Sequence, residues 1–288
     1  MKNTCIYFIS FLLLFVMSSC EKVIDLDLAD GQALPYIDAW ITDKPGVQTI
    51  KFLQAANYLD QQQPIPVTDA EISVSDLTIN KTYIFNYDNG AYTCDPGSGN
   101  KIGMIGHQYK LNIVYMGELF EAIDNMNRVT NIDSITIEFR EEDGEEEQGY
   151  YAELFATDLS GGTDYSWIRT YRNGSLNQFT NEMVSIDGAF NEGISDGFVF
   201  IPPFREGITS SEKPYNKGEE VKVQIRSLSK DSYNFIDQLI EQLYSGGLFA
   251  KVLQNVPTNV IPPKNGTTIK IYGWFGVTAE AELAKVIQ

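Results

Sequence analysis

Basic residues are scarce in this 288-residue chain: 21 Lys and Arg stand against 39 Asp and Glu, a formal charge of −18. No basic stripe is present to track a phosphate backbone, which argues against nucleic-acid binding. The same surface would not be drawn to anionic lipid, so any membrane attachment must come from covalent chains. Histidine is nearly missing, with His107 alone, and the cysteines are Cys5, Cys20 and Cys94. A zinc site needs three or four His or Cys ligands, which this set cannot supply. Long apolar runs are also lacking. The stretch Ile6 to Met17 has twelve residues and as a helix would cover only about 18 Å, against a bilayer core of about 30 Å.

The same scarcity removes most catalytic chemistry. Nucleophilic hydrolysis needs a serine or cysteine beside a base, but His107 opens a strand after a turn and no G-x-S-x-G elbow is present. Cys94, in Tyr92-Thr93-Cys94-Asp95-Pro96, has an acidic neighbour and no base, so it reads as a passive thiol. Gly97-Ser98-Gly99 is not followed by G-K-[ST] and reads as a hairpin connection rather than a phosphate loop. The acidic run Glu141 to Glu147 does not match a calcium-loop spacing and reads as a solvated hairpin tip that also discourages edge pairing. No catalytic residue, metal site or cofactor is assigned, and the chain is not read as an enzyme.

What the sequence does contain begins at its amino terminus. Met1 and Lys2 precede the apolar stretch, and small residues Ser18-Ser19 lead into Cys20. This is the pattern of a bacterial lipoprotein signal over residues 1–19, with Cys20 as the lipidated first residue of the mature chain. A plain secretory signal, with Cys20 as an ordinary mature residue, stands as the alternative. Two or three acyl chains, at about 0.8 kcal/mol per buried CH₂, would hold such a body firmly. Residues 20–34 then read as a lipid-anchored tether.

Beyond the tether, period-two segments dominate. Ile37, Ala39 and Ile41 share one face of a strand; Val47–Leu53, Glu71–Leu77, Thr82–Tyr87, Gln108–Tyr115 and Glu118–Ile123 follow. Asn89-Gly90 marks a tight hairpin. Residues 35–126 are therefore expected to form an immunoglobulin-like β-sandwich. Residues 127–288 are expected to form a larger β-rich domain, with Tyr150–Ala156 and Ser166–Tyr171 as partners of Ile132–Arg140. One packed helix is expected near 231–244, with Phe235, Ile236, Leu239, Ile240 and Leu243 inward and Ser229 or Asp231 as cap. Thr267–Phe275 is expected as the last core strand and Glu280–Gln288 as a short helical turn. The fold class is mainly β.

Several motifs carry a resemblance. Cys20 is followed by Val23-Ile24-Asp25-Leu26; then come Ala39-Trp40-Ile41-Thr42, Ala70-Glu71-Ile72-Ser73-Val74, Tyr233-Asn234-Phe235, Gly246-Gly247-Leu248-Phe249, Pro257-Thr258-Asn259 and Gly273-Trp274-Phe275. Together they resemble the Bacteroidota lipoproteins grouped as "domain of unknown function 4249". Thr258-Asn259-Val260 departs from the Gly-Asn-Ile common there. The resemblance implies an outer-membrane, cell-envelope lipoprotein, often encoded beside a TonB-dependent receptor, and it implies no activity.

For binding, the aromatics are the lead. Trp167, Arg169 and Tyr171 share one face of a strand, where two rings and a guanidinium could stack and hydrogen-bond a sugar ring or a peptide. Core or edge filling is the competing reading, and Trp40 and Trp274 are read as structural. The functional expectation is a lipid-anchored, ligand- or receptor-binding accessory of TonB-dependent outer-membrane uptake. An extracytoplasmic hydrolase using a carboxylate pair, or an envelope assembly or adhesion component, stands as the alternative.

Overall fold

Alternation builds the first layer of the computed structural model, which describes residues 34–55, 63–244, 256–264 and 266–288. All of the tether but Leu34 lies outside the described residues, as do Cys20 and the signal. In β1 (Pro35–Thr42), Ile37, Ala39 and Ile41 are buried while Tyr36, Asp38 and Trp40 face the other way. β2 (Gln48–Gln54), β3 (Ile65–Pro66), β4 (Glu71–Asp76), β5 (Lys81–Asp88), β6 (Ala91–Cys94), β7 (Gln108–Tyr115) and β8 (Glu118–Asn125) follow. The β5–β6 turn is Asn89-Gly90 with φ of 46° and 93°, and the β7–β8 turn is Met116-Gly117 with φ of 52° and 80°, the left-handed pair a two-residue hairpin requires.

The second region contains β9 (Ile132–Arg140), β10 (Gly149–Ala156), β11 (Tyr165–Arg172), β12 (Ser175–Leu176), β13 (Met183–Ile186), α1 (Pro202–Glu206), β14 (Glu220–Leu228) and α2 (Lys230–Tyr244). Two strands close the chain, β15 (Tyr272–Thr278) and β16 (Glu280–Val286). The mainly β expectation holds. Ser229 caps α2, its Oγ accepting from the Ser232 N–H at 3.2 Å. Among the described residues no helix is long and apolar enough to cross a membrane.

The first strands join in one sheet ordered β15-β1-β2-β6-β5-β4-β7-β8, with β3 beside β2. It curls almost into a barrel: Asp124 at the end of β8 accepts the Val277 N–H of β15 at 3.0 Å. Its core includes Phe52, Tyr92, Tyr109, Phe120 and Phe275. β9 and β10 form a hairpin, whose tip carries Glu141 to Glu147. Arg140 there pairs with Glu138, Glu146 and Glu153. The hairpin covers one face of a sheet ordered β12-β11-β14-β16, with β13 also on β11. Ile135, Leu154, Ile168, Val221, Val223 and Ile225 fill the space between them.

Three expectations need correction. Ser166–Tyr171 does not pair with Ile132–Arg140; β11 pairs with β12, β13 and β14. Glu280 to Gln288 is not a helical turn but β16, in seven-residue register with β14. Its Glu, Ala, Leu and Lys favour a helix locally, yet the buried edge of β14 has backbone groups that need partners. The division at residue 127 is also crossed. β15 lies parallel to β1, Asp38 opposite Trp274 and Trp40 opposite Gly276, so the last two strands stitch the two sheets together. Between them, the Ala279 N–H donates to Ser227 Oγ at 2.9 Å.

Candidate functional site

The outward faces of β1 and β15 form one wall of a cleft at the junction of the two sheets. Because Ile37, Ala39 and Ile41 point into the core, Tyr36, Asp38 and Trp40 must point out, joined by Tyr272 and Trp274. Gly276 makes room for this: a Cβ there would collide with the Trp40 ring. Trp167 of β11 forms the facing wall, its ring 5.4 Å from that of Trp40 and tilted by 54°. α2 closes one side with Phe235, Ile236 and Leu239, and Phe235 stacks on Trp274 at 4.6 Å. The enclosed volume is about 470 Å³, within the usual range for small-molecule sites.

Polar groups set the helix against this wall. Trp274 Nε1–H donates to Ser232 Oγ at 2.8 Å, and Ser232 Oγ–H donates to Asp124 Oδ2 at 3.0 Å. Burial raises the Asp124 carboxyl above its ordinary range, against hydrogen bonds from Ser229, Val277, Asn125 and Ser232. The Trp167 indole differs: only 8% of its surface is exposed, and its Nε1–H has no hydrogen-bond partner among the described residues. A buried donor without an acceptor costs about 1–3 kcal/mol. At the mouth, Asp38 is exposed. Burial, with the Asp38 charge added, raises the Tyr36 phenol.

Trp167, Arg169 and Tyr171 do lie on one face of β11. The Arg169 guanidinium sits 4.8 Å from the Trp167 ring and 5.7 Å from the Tyr171 ring. Its fork is occupied, however, by Glu182, with Nε 3.3 Å from the carboxylate. Of the three, only Trp167 lines the cleft. Neighbouring strands extend the pattern: Arg226 lies over Trp167 at 5.4 Å and pairs with Glu280 at 2.6 Å, and Lys222 lies over Tyr171 at 4.4 Å. Burial disfavours both charges of the Arg226–Glu280 pair, lowering the first pKa and raising the second.

The remaining aromatic residues of the cleft, Tyr36, Trp40, Phe235, Tyr272 and Trp274, were not singled out for binding by the sequence. The signal was available in one case: Trp40 sits at the alternate position to three core residues, which points it outward. Beyond α2 lies a larger, more open hollow of about 560 Å³, between Met183, Val184, Phe190 and Phe204 on one side and Tyr233 and Ile240 on the other. It has fewer rings, and its Glu182 is engaged by Arg169.

His107 and Cys94 lie elsewhere. His107 Nδ1 is 2.7 Å from Asp76 Oδ2 and ties the start of β7 to the end of β4. Burial alone would raise the Asp76 carboxyl, but hydrogen bonds from His107, Ile79 and Thr78 hold it below its ordinary value. Burial and then Asp95 push the Cys94 thiol up, away from the reactive thiolate.

Among the described residues, one group of three metal-capable side chains comes together: Asp158, Asp164 and Asp187. All are at most 7% exposed. Burial, followed by the charges of Asp164 and Asp187, pushes Asp158 up to about 6, while the Gly197 N–H opposes the shift. These acids are too enclosed to flank a scissile bond, as a glycoside hydrolase requires.

Residues 21–284 match the family model described as "Domain of unknown function (DUF4249)", and the chain belongs to that family. No curated protein matches it.

Proposed function

We propose, from membership of that family and the geometry of the cleft, that the protein is a lipid-anchored component of the outer membrane. In this reading it serves as a ligand- or receptor-binding accessory of TonB-dependent uptake. Cys20 carries the acyl chains, residues 20–34 act as tether, and the β body presents its cleft to a ligand. The observation that carries the reading is the cleft itself: Trp40, Trp167, Phe235 and Trp274 surround about 470 Å³, with the Trp167 indole N–H buried and unpartnered. Flat aromatic walls with an exposed carboxylate at the mouth suit a sugar ring or a short peptide. Such a ligand combines an apolar face with hydrogen-bonding groups.

The test is purification of the tagged full chain from native membranes in mild detergent. The expected result is recovery in the outer-membrane fraction together with a TonB-dependent receptor. Recovery of the protein alone, from the inner membrane, would overturn the reading.

A further inference from the structure

Two loops meet beside the start of β11, where Asp164 and Asp187 are hydrogen-bonded through their backbones. One, residues 157–164, joins β10 to β11; the other, residues 187–199, follows β13. Between them lie Asp158, Asp164 and Asp187, which are 4%, 7% and 1% exposed. Each contributes a carboxylate oxygen to a group whose members lie within 4.8 Å of one another. Three negative charges are therefore withdrawn from water at one point, and such charges need pairing.

The protein supplies only part of that pairing. Arg128 spans Asp164, with Nε 2.9 Å from Oδ1 and Nη2 2.7 Å from Oδ2. Nη2 also donates to the carbonyls of Leu159 and Gly162, and Nη1 to that of Ser160. Asp187 accepts the N–H of Asp164 at 2.6 Å and of Gly193 at 3.3 Å. Asp158 Oδ2 accepts the Gly197 N–H at 3.2 Å. Asp158 Oδ1, by contrast, is buried and has no hydrogen-bond partner among the described residues. Among the described residues Arg128 is the one ion-pair partner of the three, which leaves two negative charges over.

We propose that Asp158, Asp164 and Asp187 hold a divalent hard cation, calcium in particular, that clamps the 157–164 loop to the 187–199 loop. The donors are all oxygens, which select calcium or magnesium over softer metals. Calcium takes oxygens at about 2.3–2.6 Å, so ligands on opposite sides of one ion are about 4.6–5.2 Å apart. The three donor oxygens, all within 4.8 Å of one another, are close enough to reach one such ion. The two leftover charges match the charge of one such ion. Calcium's tolerance of irregular geometry suits donors drawn from two loops. This inference is independent of the aromatic cleft.

The experiment uses the purified full chain in detergent, stripped with a chelator and dialysed, then titrated calorimetrically with calcium chloride and separately with magnesium chloride. One calcium per chain is expected, with Kd of about 10⁻⁴–10⁻³ M, the range of extracellular modules. The melting temperature should rise as calcium is added. Asp158→Asn is expected to weaken calcium binding at least about tenfold. Without calcium it should melt no lower than the wild type, because it removes a buried unpaired charge. Asp158→Ser provides a second variant should the amide not fold. Glu141→Gln with Glu145→Gln, at the exposed hairpin tip, should leave binding unchanged. Three results would overturn the proposal. One is wild-type protein with neither calcium heat nor a melting shift, meaning the acids share a proton instead. Another is Asp158 variants that bind calcium as the wild type does. The third is binding lost only in the tip variant.

Discussion

Ser232→Ala tests how α2 is held over the cleft. The hydroxyl of Ser232 is fully buried, accepts from Trp274 Nε1 at 2.8 Å and donates to Asp124 Oδ2 at 3.0 Å. Alanine fits the space, so little packing is lost and the cost is electrostatic. Trp274 keeps a buried N–H with no acceptor, at about 1–3 kcal/mol. Asp124 loses one charge-assisted bond but keeps the N–H groups of Val277 and Asn125, which confines its share to about 1 kcal/mol. The sum is about 2–4 kcal/mol, and at about 2 °C per kcal/mol for a chain of this size the midpoint falls by about 4–8 °C. Urea titration followed by tryptophan fluorescence measures it, with an unchanged m-value showing that the denatured state is the same. A loss below about 0.5 kcal/mol would refute the reasoning, because a surface hydroxyl behaves that way.

Trp167→Phe keeps a ring in the cleft but removes the unpartnered N–H. Stability should hold or rise by up to about 1 kcal/mol, read by urea denaturation, because a buried donor without an acceptor is removed. Gly276→Val drives a side chain into the Trp40 ring, and should cost about 1–3 kcal/mol by overpacking together with altered tryptophan emission. Arg172, hydrogen-bonded to Glu219, pulls that carboxyl down from 4.5 to about 2, against a smaller opposing effect of burial. A depressed folded pKa stabilises above the unfolded value, so the contribution is present above pH 4.5 and is lost as pH falls toward about 2. Glu219→Gln should therefore cost at most about 3 kcal/mol at pH 7 and almost nothing near pH 2, as read by denaturation at both pH values.

Local pattern carried the reading furthest where a strand has one wet face. Ile37, Ala39 and Ile41, and likewise Val221, Val223 and Ile225, occupy the core positions that their spacing implies. Asn89-Gly90 forms the turn its backbone freedom favours. α2 runs from Lys230 to Tyr244, within one residue of expectation at its start, although Leu243 is 69% exposed. What local pattern could not show depends on partners distant in sequence. β15 finds β1 across more than two hundred residues, and β16 is a strand only because β14 lies beside it. The shared face of Trp167, Arg169 and Tyr171 follows from alternation. That Glu182 occupies the Arg169 fork, or that Trp40 faces Trp167, does not. Asp158, Asp164 and Asp187 fit no loop motif, because the fold rather than the spacing gathers them.

The proposed anchoring of this acidic body is tested most directly by mass spectrometry of the protein isolated from its native cells. The account predicts an amino-terminal residue Cys20 carrying a thioether-linked diacylglycerol. An unmodified amino terminus, or one that begins at another residue, would contradict it.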